Sequence, residues 1–106
     1  MNGYRITFST LRNREIDGVV IFEILLDEAK KVGIKGATII NGSEGFGRDG
    51  HEHSARFFEL SDQPIEIIMV ASVDDCDRFF LRLKELNINV FYTKSAVEFG
   101  FTCVNG

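Results

Sequence analysis

A glycine-rich, charged segment from Gly42 to His53 contains residues that could bind a ligand. Four glycines fall between positions 42 and 50, and glycine lets a ligand approach the backbone closely. Successive amides here could form a nest for an anion, and a nearby arginine would add positive charge. We therefore predict a phosphate-binding site in this segment. Its predicted ligand-binding residues are Gly45, Phe46, Gly47 and Arg48, together with Arg56 just beyond the segment.

The spacing of these glycines does not by itself specify a nucleotide site. It matches neither a Walker A sequence nor a dinucleotide fingerprint, because no Gly-Lys-Ser/Thr follows it and no clear helix begins where it ends. The alternative is that the glycines only shape a turn.

A pair of histidines in the same segment makes a metal site a second hypothesis. His51 and His53 are separated by one residue, so an extended backbone would point both imidazoles to the same side. No further ligand nearby completes a set of four within one chain, although a trimer could supply the rest on its axis. The alternative is a pair of solvated loop side chains.

An enzyme is the third hypothesis for this segment. His51 or His53 would be the general base, with Glu44 or Glu52 as its partner. No nucleophile is paired with either histidine in the sequence, so we predict that the protein is not an enzyme.

Composition limits the class of protein. The chain has 106 residues, which predicts a single domain over residues 1–106. Its net charge of −4 argues against nucleic-acid binding. No apolar run is long enough for a membrane helix and no signal-peptide pattern is present, so we expect a cytoplasmic protein without membrane insertion.

Cys76 and Cys103 are expected to be reduced thiols, with Cys76 in the core.

Hydrophobic periodicity predicts the first three elements. Alternation from Tyr4 to Ser9 indicates a strand with one buried face. A helix is predicted from Gly18 to Val32, with Asp17 as its N-cap and Gly33 just beyond its last turn. A short strand from Gly36 to Ile40 then enters the glycine-rich segment.

The second half repeats this order. The nearly apolar run Ile65 to Ala71 predicts a central strand covered on both faces. Ser72 is the predicted cap of a helix whose apolar stripe includes Cys76, Phe79, Phe80, Leu83 and Leu86. A strand follows from Ile88 to Thr93, and renewed alternation from Val97 to Cys103 predicts an extra C-terminal strand.

The order of these elements predicts an α+β fold of the ferredoxin-like, split βαβ type (βαββαβ). Both helices would cover one face of a mainly antiparallel sheet, with an extra C-terminal strand. The other face would have no cover within one chain. With 44% hydrophobic residues, ten of them Phe, we predict a homotrimer in which that face is buried.

The residues from Ala29 to Thr38, followed by Gly42 to Gly47 and then His51 and His53, resemble the PII-like family known as domain of unknown function 190. The resemblance covers Asp17 to Leu86. The stretch from Gly45 to His51 is also similar to the start of the T-loop of PII signalling proteins. This resemblance implies a ferredoxin-like homotrimer. It also implies an adenine nucleotide (ADP, ATP or AMP) between subunits and a T-loop that docks on a transporter or an enzyme.

The sequence departs from the PII pattern at three places. Residues 87–90 read Asn-Ile-Asn-Val where PII proteins carry a phosphate-holding Gly-Asp-Gly-Lys. The C-terminal arginines are absent around Phe101 to Cys103, and Asp49 stands where PII proteins place a glutamine. From the resemblance, we expect a regulatory, nucleotide-sensing trimer. The alternatives are a purely structural or interaction trimer and a histidine-containing metal-binding trimer.

Overall fold

The computed structural model describes residues 1–42, 44–46, 52–54 and 63–103. Two helices, α1 and α2, and eight strands, β1 to β8, occur in these ranges. In chain order, the elements are β1 Asn2–Leu11, β2 Glu15–Ile16, β3 Val19–Val20, α1 Ile21–Val32, β4 Ala37–Asn41, β5 Glu44–Phe46, β6 Glu52–Ser54, β7 Pro64–Ser72, α2 Val73–Glu85 and β8 Phe91–Glu98.

Four strands form one antiparallel sheet in the order β4-β7-β1-β8. Helix α1 connects β1 to β4, and α2 connects β7 to β8, so each helix crosses over a strand of the sheet. This is the split βαβ arrangement that the sequence predicts. The α+β, ferredoxin-like fold is therefore confirmed.

One face of the sheet, here called the covered face, packs against both helices. The core combines strand residues with side chains from α1 and from α2, because the apolar stripe of each helix lies on the sheet. Its largest fully buried members are Phe8, Phe79, Ile6, Ile21, Leu25, Ile65, Ile67, Met69 and Cys76.

The opposite face of the sheet, here called the open face, has no helix of the described chain against it. Its residues alternate with the core residues along each strand, since neighbouring side chains of a strand point to opposite faces. They include Arg5, Ile40, Glu66, Val70 and Phe91, which the strand register brings side by side. The prediction that β7 is covered on both faces is wrong for the single chain, because Glu66 and Val70 are exposed.

Helix α1 begins later than predicted because a tight hairpin precedes it. Strands β2 and β3 pair through a two-residue turn at Asp17 and Gly18, whose φ values are +52° and +81°. Two positive φ values at an Asp-Gly pair are typical of the turn that favours hairpins. The prediction of Asp17 as the N-cap is therefore wrong. The residue before the helix is Val20, and it makes no side-chain cap.

The other predicted helix ends agree with the structure. Gly33 follows α1 with φ +100°, a left-handed conformation that suits glycine. The Ser72 hydroxyl accepts a hydrogen bond from the Asp75 amide at 3.2 Å, which caps α2. Neither described helix is long and apolar enough to cross a membrane.

The C-terminal part contains one strand where the sequence predicted two. Strand β8 begins at Phe91, not Ile88, and runs through Glu98. In the described residues 99–103, no further strand occurs. Instead, the Phe99 amide donates to the Met1 carbonyl at 2.8 Å and the Met1 amino group donates to the Phe99 carbonyl at 3.0 Å. The alternation after Val97 therefore continues β8 briefly and then stops.

Candidate ligand-binding site

The topology gathers several chain connections at one end of the sheet. Strand β1 ends at Leu11 opposite Pro64, where β7 begins. Strand β4 ends there too, because Asn41 is opposite Ile65, and β8 begins nearby with Phe91 opposite Ser9. The glycine-rich segment thus leaves and re-enters the sheet at the end where α2 connects to β8.

Backbone hydrogen bonds fix the base of this segment. The Gly42 amide donates to the Pro64 carbonyl at 2.8 Å, which ties the departing chain to the returning one. The Arg12 amide donates to the Gln63 carbonyl at 2.9 Å, which ties the returning chain to the end of β1. A Cβ atom added at Gly42 would lie 3.4 Å from Pro64 atoms, which is ordinary van der Waals contact.

Within the segment, the structure describes a short backbone hairpin. Strands β5 and β6 pair so that Gly45 is opposite His53 and Phe46 is opposite Glu52. Of the predicted phosphate-site residues, Gly45 and Phe46 therefore lie on β5. Gly47, Arg48 and Arg56 lie outside the described residues, as does His51, the other half of the predicted histidine pair.

The side chain of Arg12 joins three elements at the base of the segment. Its Nη2 donates a hydrogen bond to Asn41 Oδ1 at the end of β4. Its guanidinium carbon lies 5.7 Å from the ring centroid of Phe22 on α1, which is cation–π distance. Arg12 was not predicted as a site residue. It lies about thirty positions before the segment, and only the sheet topology brings the two together.

A cavity of about 580 Å³ lies beside residues 87–90, where the PII pattern would place its phosphate-holding glycines. Its aromatic lining consists of Phe8, Phe80 and Tyr92, with 4.8 Å between the ring centroids of Phe80 and Tyr92. Lys84 and two asparagines contribute its polar lining. The cavity therefore has a mixed apolar and polar lining.

A second cavity, of about 670 Å³, lies between the β2–β3 hairpin and the helices. Acidic side chains line it, but the most buried of them, Glu28, is already paired. Glu28 accepts from Arg82 Nε at 3.1 Å and from Lys31 Nζ at 3.3 Å, which links the two helices. Among the described residues, no group of three or more potential ligands is arranged to hold a metal ion.

The two cysteines differ in exposure. Cys76 is fully buried in the core, as predicted, and burial raises the pKa of its thiol despite the opposing effect of the nearby Lys94. Cys103 is exposed. A buried, protonated thiol is a poor nucleophile, so Cys76 contributes packing to the core.

Comparison with known proteins places the chain in a family context. Residues 4–99 match the family model for domain of unknown function 190 (DUF190), described as "Uncharacterized ACR". Among curated proteins, none matches this sequence.

Solved structures share the fold at low sequence identity. A PII-like signaling protein (TTHA0516) from Thermus thermophilus is 21% identical, with a TM-score of 0.66 over 91% of this chain and 87% of that one. CPII from Thiomonas intermedia K12, a nitrogen regulatory PII-like protein bound to ADP, AMP and bicarbonate, is 18% identical, with a TM-score of 0.65 over 92% and 89%. Its apo form is 17% identical, with a TM-score of 0.54 over 92% of each chain. These similarities establish a PII-like fold.

Proposed function

Because the chain belongs to the DUF190 family, we propose that it is a PII-like regulatory protein. In this proposal, a homotrimer senses an adenine nucleotide and acts on a protein partner through the glycine-rich segment. One observation supports the proposal most strongly: a long segment with four glycines starts and ends at a hydrogen-bonded base on a rigid sheet. A rigid scaffold that carries a glycine-rich connection is typical of proteins that bind through loops.

The trimer is supported by the composition of the open face. Val70 and Phe91 are 39% and 63% exposed, although both are large apolar residues on the four-stranded sheet. Apolar surface of this kind is favourable to bury between copies of a chain. Charged residues on the same face, such as Arg5 and Glu66, would determine how the copies of the chain align with one another.

The nucleotide is supported by a structural neighbour and by the chemistry of the segment. CPII, which shares the fold, was solved with ADP, AMP and bicarbonate bound. In our proposal, the phosphates lie near the amides of Gly45, Phe46 and Gly47, with Arg48 or Arg56 as a charge partner. The missing glycine-rich turn at residues 87–90 removes several charge-assisted contacts, so we expect an affinity weaker than nanomolar.

Titration calorimetry with AMP, ADP, ATP and cyclic AMP tests the proposal. We expect at least one nucleotide to bind with a dissociation constant below one millimolar, and Gly45→Val to weaken it. If no nucleotide binds at millimolar concentration, the sensor proposal is wrong and the structural or interaction trimer takes its place. If Gly45→Val and Arg48→Ala both leave binding unchanged, a nucleotide binds elsewhere on the molecule.

A transporter or an enzyme is the proposed target, and the cytoplasm is the proposed compartment. A metal site at His51 and His53 is tested separately by zinc titration of the wild-type protein and of a His51→Ala, His53→Ala variant. We propose a regulatory role without an enzymatic activity.

A further inference from the structure

We infer that Arg12 binds an anionic oxygen of the ligand at the base of the glycine-rich segment. The ligand chemistry is that of a phosphate oxyanion. This inference deepens the proposed function, because a nucleotide phosphate is the expected source of that oxyanion. Arg12 directly follows β1 and lies outside the glycine-rich segment.

The position of Arg12 is the first reason to expect a ligand contact. Its side chain bonds to Asn41, the residue immediately before Gly42, and its own amide bonds to Gln63, immediately before the chain re-enters β7. The guanidinium group therefore lies where the segment both leaves and re-enters the sheet. A ligand held by the first residues of that segment would meet this group.

The contacts of the guanidinium group are the second reason. Asn41 is a neutral partner and Phe22 is an aromatic ring, so neither contact neutralises the positive charge. Among the residues whose side chains the structure describes, 1–42 and 63–103, no carboxylate lies within 4.0 Å of Arg12. By contrast, Arg78 and Arg82 on α2 both pair with carboxylates.

The shape of the guanidinium group is the third reason. Arginine has five N–H donors in a planar fork, and the bond to Asn41 uses one of them. The ring of Phe22, which packs against the core, supports the group from α1. A guanidinium fixed on an aromatic ring and oriented by an amide is preorganised for bidentate binding of a phosphate.

The test compares three purified variants with the wild-type protein. Arg12→Gln removes the charge, and Arg12→Lys keeps the charge but loses the fork. Arg14→Gln is the matched control, because it removes the same charge two residues away. Within the described part of the chain, Arg14 makes backbone hydrogen bonds at this end of the sheet, and a glutamine keeps them. The probes are ADP, adenosine and inorganic phosphate, and calorimetry measures their binding.

For ADP, we expect Arg12→Gln to bind at least about tenfold more weakly, because it loses a charge-assisted contact. Arg12→Lys should lose about threefold or more, and Arg14→Gln should stay within twofold of wild type. Adenosine, which has no phosphate, should not distinguish Arg12→Gln from wild type. Circular dichroism establishes whether each variant is folded. If Arg12→Gln does not fold, Arg12→Lys and Arg14→Gln decide the question.

Four outcomes separate this inference from the proposed function. If wild type binds ADP and the Arg12 variants bind it equally well, the inference is wrong and the sensor proposal stands. An equal loss of ADP binding in Arg12→Gln and Arg14→Gln also overturns the inference. The loss of one positive charge from the protein, and not a contact made by Arg12, would then explain the effect. If phosphate binds in an Arg12-dependent way but no nucleotide does, the inference stands and the sensor proposal fails. If neither ADP nor phosphate binds wild type, the inference is wrong, and calorimetry with AMP, ATP and cyclic AMP decides the sensor proposal.

Discussion

The covered and open faces of the sheet are built from the same four strands, yet they have opposite surroundings. On the covered face, Phe8 and Ile67 are fully buried beneath the helices. On the open face, Val70 and Phe91 remain substantially exposed beside charged residues such as Arg5 and Glu66. The alternation of side chains along each strand separates these two sets.

This difference assigns two separate roles to one sheet. The covered face supplies the packing that stabilises the single chain, since its apolar residues are removed from water on folding. The open face gains little from folding, because its apolar residues stay in contact with water. In the proposed trimer, another copy of the chain would cover these residues and remove them from water. Substitutions on the two faces should therefore change different measured quantities.

The largest expected effect is on the covered face. Phe8→Ala should lower the free energy of unfolding by about 3–5 kcal/mol, because it leaves a cavity among Phe79, Phe80 and Tyr92. Phe101→Ala is the matched control, because Phe101 is 88% exposed. That control should change the free energy by less than about 0.5 kcal/mol. Urea denaturation followed by circular dichroism measures both, and equal losses would contradict the division into faces.

The next effect concerns association through the open face. For the proposed trimer, Val70→Asp should shift the light-scattering mass towards the monomer. Association would remove three carboxylates from water, at a cost that the cross-strand neighbour Arg5 offsets only in part. The matched control is Leu81→Asp, which introduces the same group at an exposed apolar position of α2. We expect that control to remain associated. A trimer that survives Val70→Asp would show that the contact lies elsewhere on the molecule.

A smaller effect is expected at the start of α2, where the chain passes from the sheet to the helix layer. Ser72→Ala should lower the free energy of unfolding by about 1 kcal/mol, since it removes the acceptor for the Asp75 amide. Ser72→Thr should restore most of the loss, because threonine also caps helices. Thermal and urea denaturation measure the change. A Ser72→Ala variant as stable as wild type would mean that the cap contributes nothing.

The smallest effect concerns the two thiols. A thiol reagent should modify the exposed Cys103 quickly in the folded protein, whereas Cys76 should react only when the chain unfolds. Burial raises the pKa of Cys76 above its ordinary value of 9.0. Its contribution to stability is therefore complete below pH 9.0 and is lost as the pH rises further. The free energy of unfolding of a Cys76→Ala variant should therefore fall less steeply above pH 9.0 than that of wild type. Rapid modification of both thiols in the folded protein would contradict the burial of Cys76.

The sequence predicted α2 more accurately than α1, for a local physical reason. Ser72 with Asp75 is a capping signal that the structure satisfies directly. Asp17 is also a good capping residue by type, but the Gly18 beside it favours a hairpin turn over a helix start. At the C-terminus, alternation continues past Glu98 in the sequence, but strand pairing depends on a partner. Strand β1 begins at Asn2, opposite Glu98, so residues after Glu98 have no residue of β1 opposite them.

The sequence indicates members of the proposed site only where they are adjacent in the chain. Glycine spacing drew attention to Gly45 and Phe46, and the structure describes both on β5. Arg12 gave no comparable signal, because it is one basic residue in a short polar stretch. Its proposed role depends on the pairing of β1 with β7 and of β7 with β4, which brings Arg12 next to Asn41. Such pairings are not readable from local spacing.

The position of β1 also affects how the chain folds during synthesis. Its two neighbours in the sheet, β7 and β8, both follow it by more than fifty residues. Strand β1 therefore leaves the ribosome long before either partner and must wait unpaired, with Ile6 and Phe8 in water. Long-range pairing of this kind slows folding and exposes apolar strands to wrong contacts. We expect the pairing of β1 with β7 and β8 to limit the rate of refolding. We also expect the nascent chain to depend transiently on chaperones.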